Sequence, residues 1–249
     1  MPPYGSWPSP IRAEQLAEAS LRISQPSIEG GVVYWLEGRP SEGGRQQLMG
    51  IPDALAKTES AAVGCSPEKV NVRTLVHEYG GGDYRVAGPR VFYVDFADQR
   101  IYVGEGGRWS PLSPAGGRYA DFVVAPSGDW LLAVEERPRE GQEPENRLVA
   151  FPLPRAGLPG KCEAPRVIAE GQDFYSFPAF SPDGSRLAYT GWDHPNMPWD
   201  GTTLFVQAWG EEGPRGSARA VAGGATESIF QPEFSPSGIL TFISDRSGW

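Results

Sequence analysis

Cysteine, histidine and long apolar runs are all scarce in this chain of 249 residues, and each scarcity removes a class of explanation. Cys65 and Cys162 lie far apart, with no spacing that suits a disulfide framework or a metal site. Both are expected as free thiols in a reducing, cytoplasmic compartment. Residues 1–15 lack the basic start and apolar stretch of an export signal, and no run approaches the length of a membrane span. Asp53, Glu59 and Glu68 are not spaced as a metal loop, so no metal and no other cofactor is expected. Gly80, Gly81 and Gly82 are followed by neither Lys nor Ser/Thr and by no helix, which excludes a phosphate loop. The net charge of −9, spread along the chain, argues against nucleic acid and anionic membrane as partners.

What the chain has in quantity is turn residues and aromatics. Its 32 glycines and 25 prolines fall between strand-like runs rather than in blocks, which reads as a turn-rich fold and not as disorder. A 39% hydrophobic fraction, with 8 Trp, 9 Tyr and 11 Phe, supplies a core. The apolar run from Phe177 to Phe180 ends in Ser181-Pro182-Asp183-Gly184, where Pro presets φ and Gly accepts a positive one. A second strand follows at residues 186–190, and a third at 203–209 after a longer loop.

The same unit recurs. Residues 121–134 carry a turn at Gly128, and residues 230–242 carry one at Gly238; these glycines are 56 and 54 residues from Gly184. Such a period is that of radial β repeats. Weaker copies precede residues 32–35 and 91–94. The expected fold is therefore all-β: a β-propeller of four-stranded antiparallel blades, about four and a half of them, in an incomplete ring. The blades are expected near residues 27–74, 84–112, 119–170, 174–222 and 229–249, within a propeller spanning 25–249.

Residues 1–24 precede that ring, with a short N-terminal helix over 11–20 behind Ser9 and Pro10. The fourth strand of the first blade is expected at 70–73, after an irregular stretch at 61–67. The Pro- and Glu-rich residues 137–145 read as a solvated, mobile loop. The last strand pair ends at residues 244–249 with half a blade unaccounted for. This predicts that the chain is part of a longer protein, with open strand edges that allow a homo-oligomer.

Four strings carry a family resemblance: Tyr4-Gly-Ser-Trp-Pro-Ser-Pro-Ile, Val72-Arg-Thr-Leu-Val-His-Glu-Tyr-Gly-Gly-Gly, Trp192-Asp-His-Pro-Asn-Met-Pro-Trp-Asp-Gly-Thr and Ser244-Asp-Arg-Ser-Gly-Trp. Across essentially its whole length the chain resembles the N-terminal propeller of the prolyl oligopeptidase family, in its dipeptidyl and acylaminoacyl peptidase branch. The resemblance implies a serine peptidase in which a C-terminal α/β-hydrolase domain of the same parent chain cleaves short peptides, while the propeller screens substrates by size. No Gly-x-Ser-x-Gly elbow occurs among the 249 residues, so no catalytic residue is assigned.

Strand parity sorts the loops independently of that resemblance. The Ser-Pro-x-Gly turns follow the first strand of each blade and share one face. Residues 77–82, 173–175, 191–201 and 244–249 fall on the opposite face. The candidates for substrate binding or a domain interface are His77, Glu78 and Tyr79, a titratable group beside three glycines; Trp192, Asp193, His194 and Trp199, an aromatic and acidic loop; and the pair Asp245 and Arg246. Each has a plainer reading: an inter-blade loop for the first, a self-packed small core for the second, a blade lock for the third. Arg73 is expected to pair a carboxylate or an adjacent blade. The leading functional expectation is a substrate-gating propeller. The alternatives are a TolB-like propeller binding a protein or ligand, and a propeller glycosidase with Glu78 and Asp193 as its formal carboxylates.

Overall fold

The computed structural model describes residues 3, 5, 6, 21–52, 61–154 and 162–248. It divides into two units, Met1–Asn71 and Val72–Trp249. Every sheet is an antiparallel meander in chain order, and none closes on itself. Their number and strand order are those of an incomplete propeller of about four and a half blades.

The first unit holds one sheet: β1 (Arg22–Glu29), β2 (Val32–Arg39), β3 (Arg45–Pro52) and β4 (Val63–Gly64). Two expectations are corrected here. The first strand begins at Arg22, because Gln25-Pro26 lies in a bulge between Ser24 and Ser27, with Gln25 at φ 51°, and does not end the strand. The fourth strand is Val63–Gly64, paired to Gly50 and Met49, and not residues 70–73. Gly50 has no room for a side chain, since a Cβ would sit 2.8 Å from Cys65 Sγ, so this edge closes tightly. The helix expected at 11–20 lies outside the described residues.

The second unit holds the other sheets. The first comprises β5 (Tyr84–Ala87), β6 (Arg90–Val94), β7 (Ile101–Glu105) and β8 (Arg108–Pro111). The next comprises β9 (Arg118–Val124), β10 (Trp130–Arg139), β11 (Gln142–Pro152) and β12 (Arg166–Ala169). Then follow β13 (Phe174–Phe180), β14 (Arg186–Trp192), β15 (Thr203–Gly210) and β16 (Gly213–Gly223), and the pair β17 (Ile229–Phe234) and β18 (Leu240–Ser244). The solvated loop expected at 137–145 is instead a hairpin. Arg137 pairs with Glu145 and Arg139 with Gln142, and an Arg139–Glu145 ion pair of 2.8 Å spans it, so its polar composition marks exposure rather than disorder. Among the described residues no helix is long and apolar enough to cross a membrane.

In the second unit the core lies between successive sheets. In β10, Leu131 and Ala133 pack with Phe92, Ile101, Tyr119 and Phe151, whereas Leu132 and Val134 pack on the other side with Tyr175, Leu187 and Tyr189. A strand covered on both faces needs a continuous apolar run, which explains Leu131-Leu132-Ala133-Val134. The repeated turns are superposable in detail. The N–H groups of Gly128, Gly184 and Gly238 donate to Ala125, Ser181 and Ser235 carbonyls at 2.8 Å each, and all three glycines have φ near +75°. Seven residues before each of these glycines the first strand bulges, at Asp121, Phe177 and Gln231, all with left-handed φ.

Candidate functional site

The second unit gathers its distinctive loops on the face opposite the Ser-Pro-x-Gly turns. The first of them is wound tightly. His77 and Glu78 have φ of 54° and 64°, a conformation that costs non-glycine residues energy and persists only where surrounding bonds fix it. Those bonds are present. Glu78 N–H donates to Leu75 O and Gly80 N–H to Val76 O, both at 2.9 Å; Leu75 N–H donates to Gln99 Oε1 at 2.8 Å; and His77 N–H donates to Glu136 Oε2 at 2.8 Å. Glu136 is buried near the end of β10, and its other oxygen takes Arg118 Nη1 at 2.7 Å. One carboxylate thus holds both a backbone donor and a guanidinium.

The glycines that follow are there for packing within the chain. A Cβ on Gly81 would come 2.9 Å from Ala120 Cβ, and one on Gly82 would come 3.1 Å from Asp121 Oδ1. Gly82 N–H donates to Asp121 Oδ1 at 2.7 Å, Asp121 N–H returns a bond to Gly82 O at 3.0 Å, and Asp121 Oδ2 accepts from Phe177 N–H at 3.3 Å. Asp121 therefore ties the glycine run to two successive bulged strands.

The His77 ring stands among aromatic groups. Its centroid is 5.2 Å from Phe174, 5.7 Å from Trp192 and 5.8 Å from Tyr79, while Phe174 stacks on Trp192 and lies 5.0 Å from His194. Burial lowers the His77 pKa below its ordinary value; nearby Glu136 and Asp121 and the Asn146 amide oppose the shift without reversing it. The imidazole is therefore neutral near pH 7. Because the unfolded chain takes up that proton first, stability falls as the pH drops below about 6.5. Tyr79 is pushed up by burial and by the same two carboxylates, yet its side chain is largely exposed, at 67%.

The second loop is locked by crossed carboxylates. Asp173 Oδ2 accepts from His194 N–H at 2.9 Å and pairs with His194 Nδ1 at 2.8 Å; Asp193 accepts from Asp173 N–H at 2.7 Å and from Gln172 Nε2. These bonds hold the Asp173 carboxyl below the usual carboxylate range. Farther on, Asn196 Nδ2 donates to Ala225 O and Ser228 Oγ to Pro198 O, which moors the loop to the start of β17.

The sequence candidates separate into two groups. His77, Trp192 and His194 come together in one ring cluster, with Tyr79 at its rim and Trp192 itself buried. Trp199, 66% exposed, makes none of those ring contacts and stands at the loop tip. Glu78 and Asp193 are exposed, and Asp193 is engaged with Gln172 and Asp173. Asp245 accepts from Ser228 N–H at 2.8 Å, a blade-closing bond, and Arg246 lies 3.7 Å from Glu227 with most of its side chain in solvent. Arg73 stacks over Phe96 at 5.3 Å and pairs with no carboxylate among the described residues.

Sequence reasoning overlooked Asp121, Glu136 and Asn146, and placed Phe174 on this face without singling it out. Asp121 could have been found by aligning the repeats: Asp stands where Phe177 and Gln231 stand in the next two units. Glu136 is the second of two acids ending an apolar run, and that abrupt change was its only signal.

Against known structures, the chain superposes on a puromycin-hydrolyzing peptidase of Mycobacterium tuberculosis with a TM-score of 0.84 and 36% identity over 99% of its length. The chain matches the N-terminal propeller portion of the prolyl oligopeptidase family. A puromycin hydrolase agrees, at 33% identity and a TM-score of 0.86 over 100% of the chain. This propeller portion spans about 39% of the length of each of those peptidases. Prolyl endopeptidases, at 15% identity and a TM-score of 0.61, and a putative TolB from Agrobacterium tumefaciens, at 16% and 0.54, share the fold alone. No protein-family model and no curated protein matches the chain.

Proposed function

We propose that this chain is the substrate-gating propeller of a prolyl-oligopeptidase-like serine peptidase that cleaves short peptides. Its loop face turns toward an α/β-hydrolase domain of the same parent chain, where a Ser-Asp-His triad carries out acyl transfer. The observation that carries the reading is the 36% identity to a puromycin-hydrolyzing peptidase over 99% of this chain. No residue of the chain is given a catalytic role. His77, Tyr79, Trp192 and His194 form the part of the face suited to a peptide, with apolar rings beside neutral and acidic polar groups. Trp199 and Arg246, both projecting into solvent, are suited to a neighbouring domain. A cytoplasmic setting fits the two free thiols.

The test is peptidase activity of the protein that contains this chain, measured on short chromogenic peptides with and without a serine-directed inhibitor. Inhibitor-sensitive cleavage, with KM raised about tenfold by Tyr79→Ala, is the expected result. A protein that binds peptides and cleaves none would sink the reading in favour of a TolB-like binding module, whose present support is likeness of fold.

A further inference from the structure

Two polar atoms are buried without a hydrogen-bond partner in the same place: Nε2 of His77 and Oδ1 of Asn146. Asn146 is only 5% exposed and sits on β11, opposite Glu136 in the β10–β11 pairing. The Asn146 amide lies beside the His77 ring. Its Oδ1 can only accept, so the ring nitrogen that would satisfy it must carry a hydrogen; facing a bare lone pair the oxygen would repel. Buried polar atoms left unpaired are destabilising, so a small shift that joins these two removes both costs at once.

Of the two ring nitrogens only Nε2 is closed off from solvent in this way. Nδ1 makes no hydrogen bond within the described residues, and it belongs to the ring bordered by exposed Tyr79 and by Phe174 and Trp192. We propose that Asn146 holds His77 as the neutral Nε2–H tautomer, leaving the Nδ1 lone pair on the loop face as a hydrogen-bond acceptor for an N–H group of a bound peptide. Asn146 is a positioning residue in this scheme and His77 a specificity-determining one. The assignment rests on the gating reading for the identity of the ligand, while the tautomer stands independently of it.

The charged groups facing the ring are the carboxylates of Glu136 and Asp121, with Arg118 held on the far oxygen of Glu136; phenolic Tyr79 completes the surroundings. Burial outweighs the two carboxylates, so the acceptor persists through neutral pH and is lost only as acid protonates Nδ1.

With only His77 and His194 in the chain, ring ¹⁵N NMR reads both tautomers directly, and His77→Gln assigns the signals. At pH 7.5 the expected spectrum shows a protonated Nε2 and a bare Nδ1 for His77. Asn146→Ala shifts the ring toward a mixture of tautomers, and Asn146→Asp keeps it protonated to higher pH. Should Asn146→Ala not fold, the wild-type spectrum alone decides: an Nδ1–H tautomer, or an imidazolium at pH 7.5, overturns the proposal. Triglycine is then titrated into the labelled protein. The Nδ1 signal is expected to move, and Asn146→Asp to bind about tenfold more weakly, the loss of one hydrogen bond. A correct tautomer whose Nδ1 ignores triglycine overturns the acceptor role and counts against the gating reading; a wrong tautomer overturns the Asn146 assignment and leaves gating untouched.

Discussion

The turn face and the loop face of the second unit use one kind of bond, an oxygen of an acidic or hydroxyl side chain accepting from backbone N–H, over very different stretches of chain. On the turn face Asp183 takes Ser185 N–H, Ser181 Oγ takes Arg186 N–H and Ser235 Oγ takes Ile239 N–H, all within five residues. On the loop face the spans are 59 residues for Glu136 and His77, 39 for Asp121 and Gly82, and 56 for Asp121 and Phe177. In bonds of this kind each turn stabilises itself, and the turns meet through Arg186, whose Nη2 donates to Gly238 O at 2.7 Å, whereas the loops stabilise one another. A face whose geometry depends on several blades together is the one on which a substrate or a second domain can be met with fixed groups.

Substitutions should expose this difference. The largest effect is expected from Glu136→Ala, which strands Arg118 and the His77 N–H together. Loss of a buried ion pair and a charge-assisted bond predicts about 3 kcal/mol of destabilisation in urea unfolding. Near-UV circular dichroism from the Trp192 and Phe174 cluster should fade with it. A cost below about 1 kcal/mol would mean that the two faces are equally local. Asp121→Ala ranks next, at about 2–3 kcal/mol, since Gly82 and Phe177 lose their acceptor and Ala fits poorly at φ 55°. Asp121→Asn, which tolerates that φ and keeps one oxygen, should recover about half of the loss.

This difference also explains what could be read in the sequence. The turns announced themselves because their information is contained in four consecutive residues, as at Ser181-Pro182-Asp183-Gly184, and their 56- and 54-residue spacing carried the fold. Strand parity then placed residues 77–82, 173–175 and 191–201 on one face, which agrees with the ring contacts among His77, Phe174, Trp192 and His194. What could not be read was which carboxylate serves which loop, because Asp121 and Glu136 act on partners dozens of residues away. The glycine run looked like a backbone open to a partner, yet Gly81 and Gly82 are filled by Ala120 and Asp121 of the same chain. Local composition misled in the same way at residues 137–145, where a cross-strand Arg139–Glu145 pair overrode it.

Two glycines sharpen the contrast at smaller amplitude. Gly82 has ordinary φ but no space, and Gly82→Ala should cost about 1–3 kcal/mol by crowding Asp121, with the cost reduced in an Asp121→Ala background. Gly128 has open space but φ +77°, so Gly128→Ala should cost about 1 kcal/mol from backbone strain alone, whatever stands at position 121. Equal coupling of both substitutions to Asp121 would contradict the separation of the faces.

The smallest effect belongs to Asp183, whose carboxyl is held down to about 2 by the Ser181 hydroxyl and by the Ser185 N–H and hydroxyl. A depressed carboxylate pKa stabilises the folded chain above the unfolded value near 3.8, and the benefit drains away as the pH falls from there toward 2. The group is fully exposed, so solvent and salt screen it, and Asp183→Ala should lower the Tm measurably only at low ionic strength. Its difference from wild type should close below pH 2 and never involve the ring cluster. The His77 signals of Asp183→Ala should therefore overlay those of the parent throughout the titration; a shift in them would show that turn and loop faces communicate through the strands that join them.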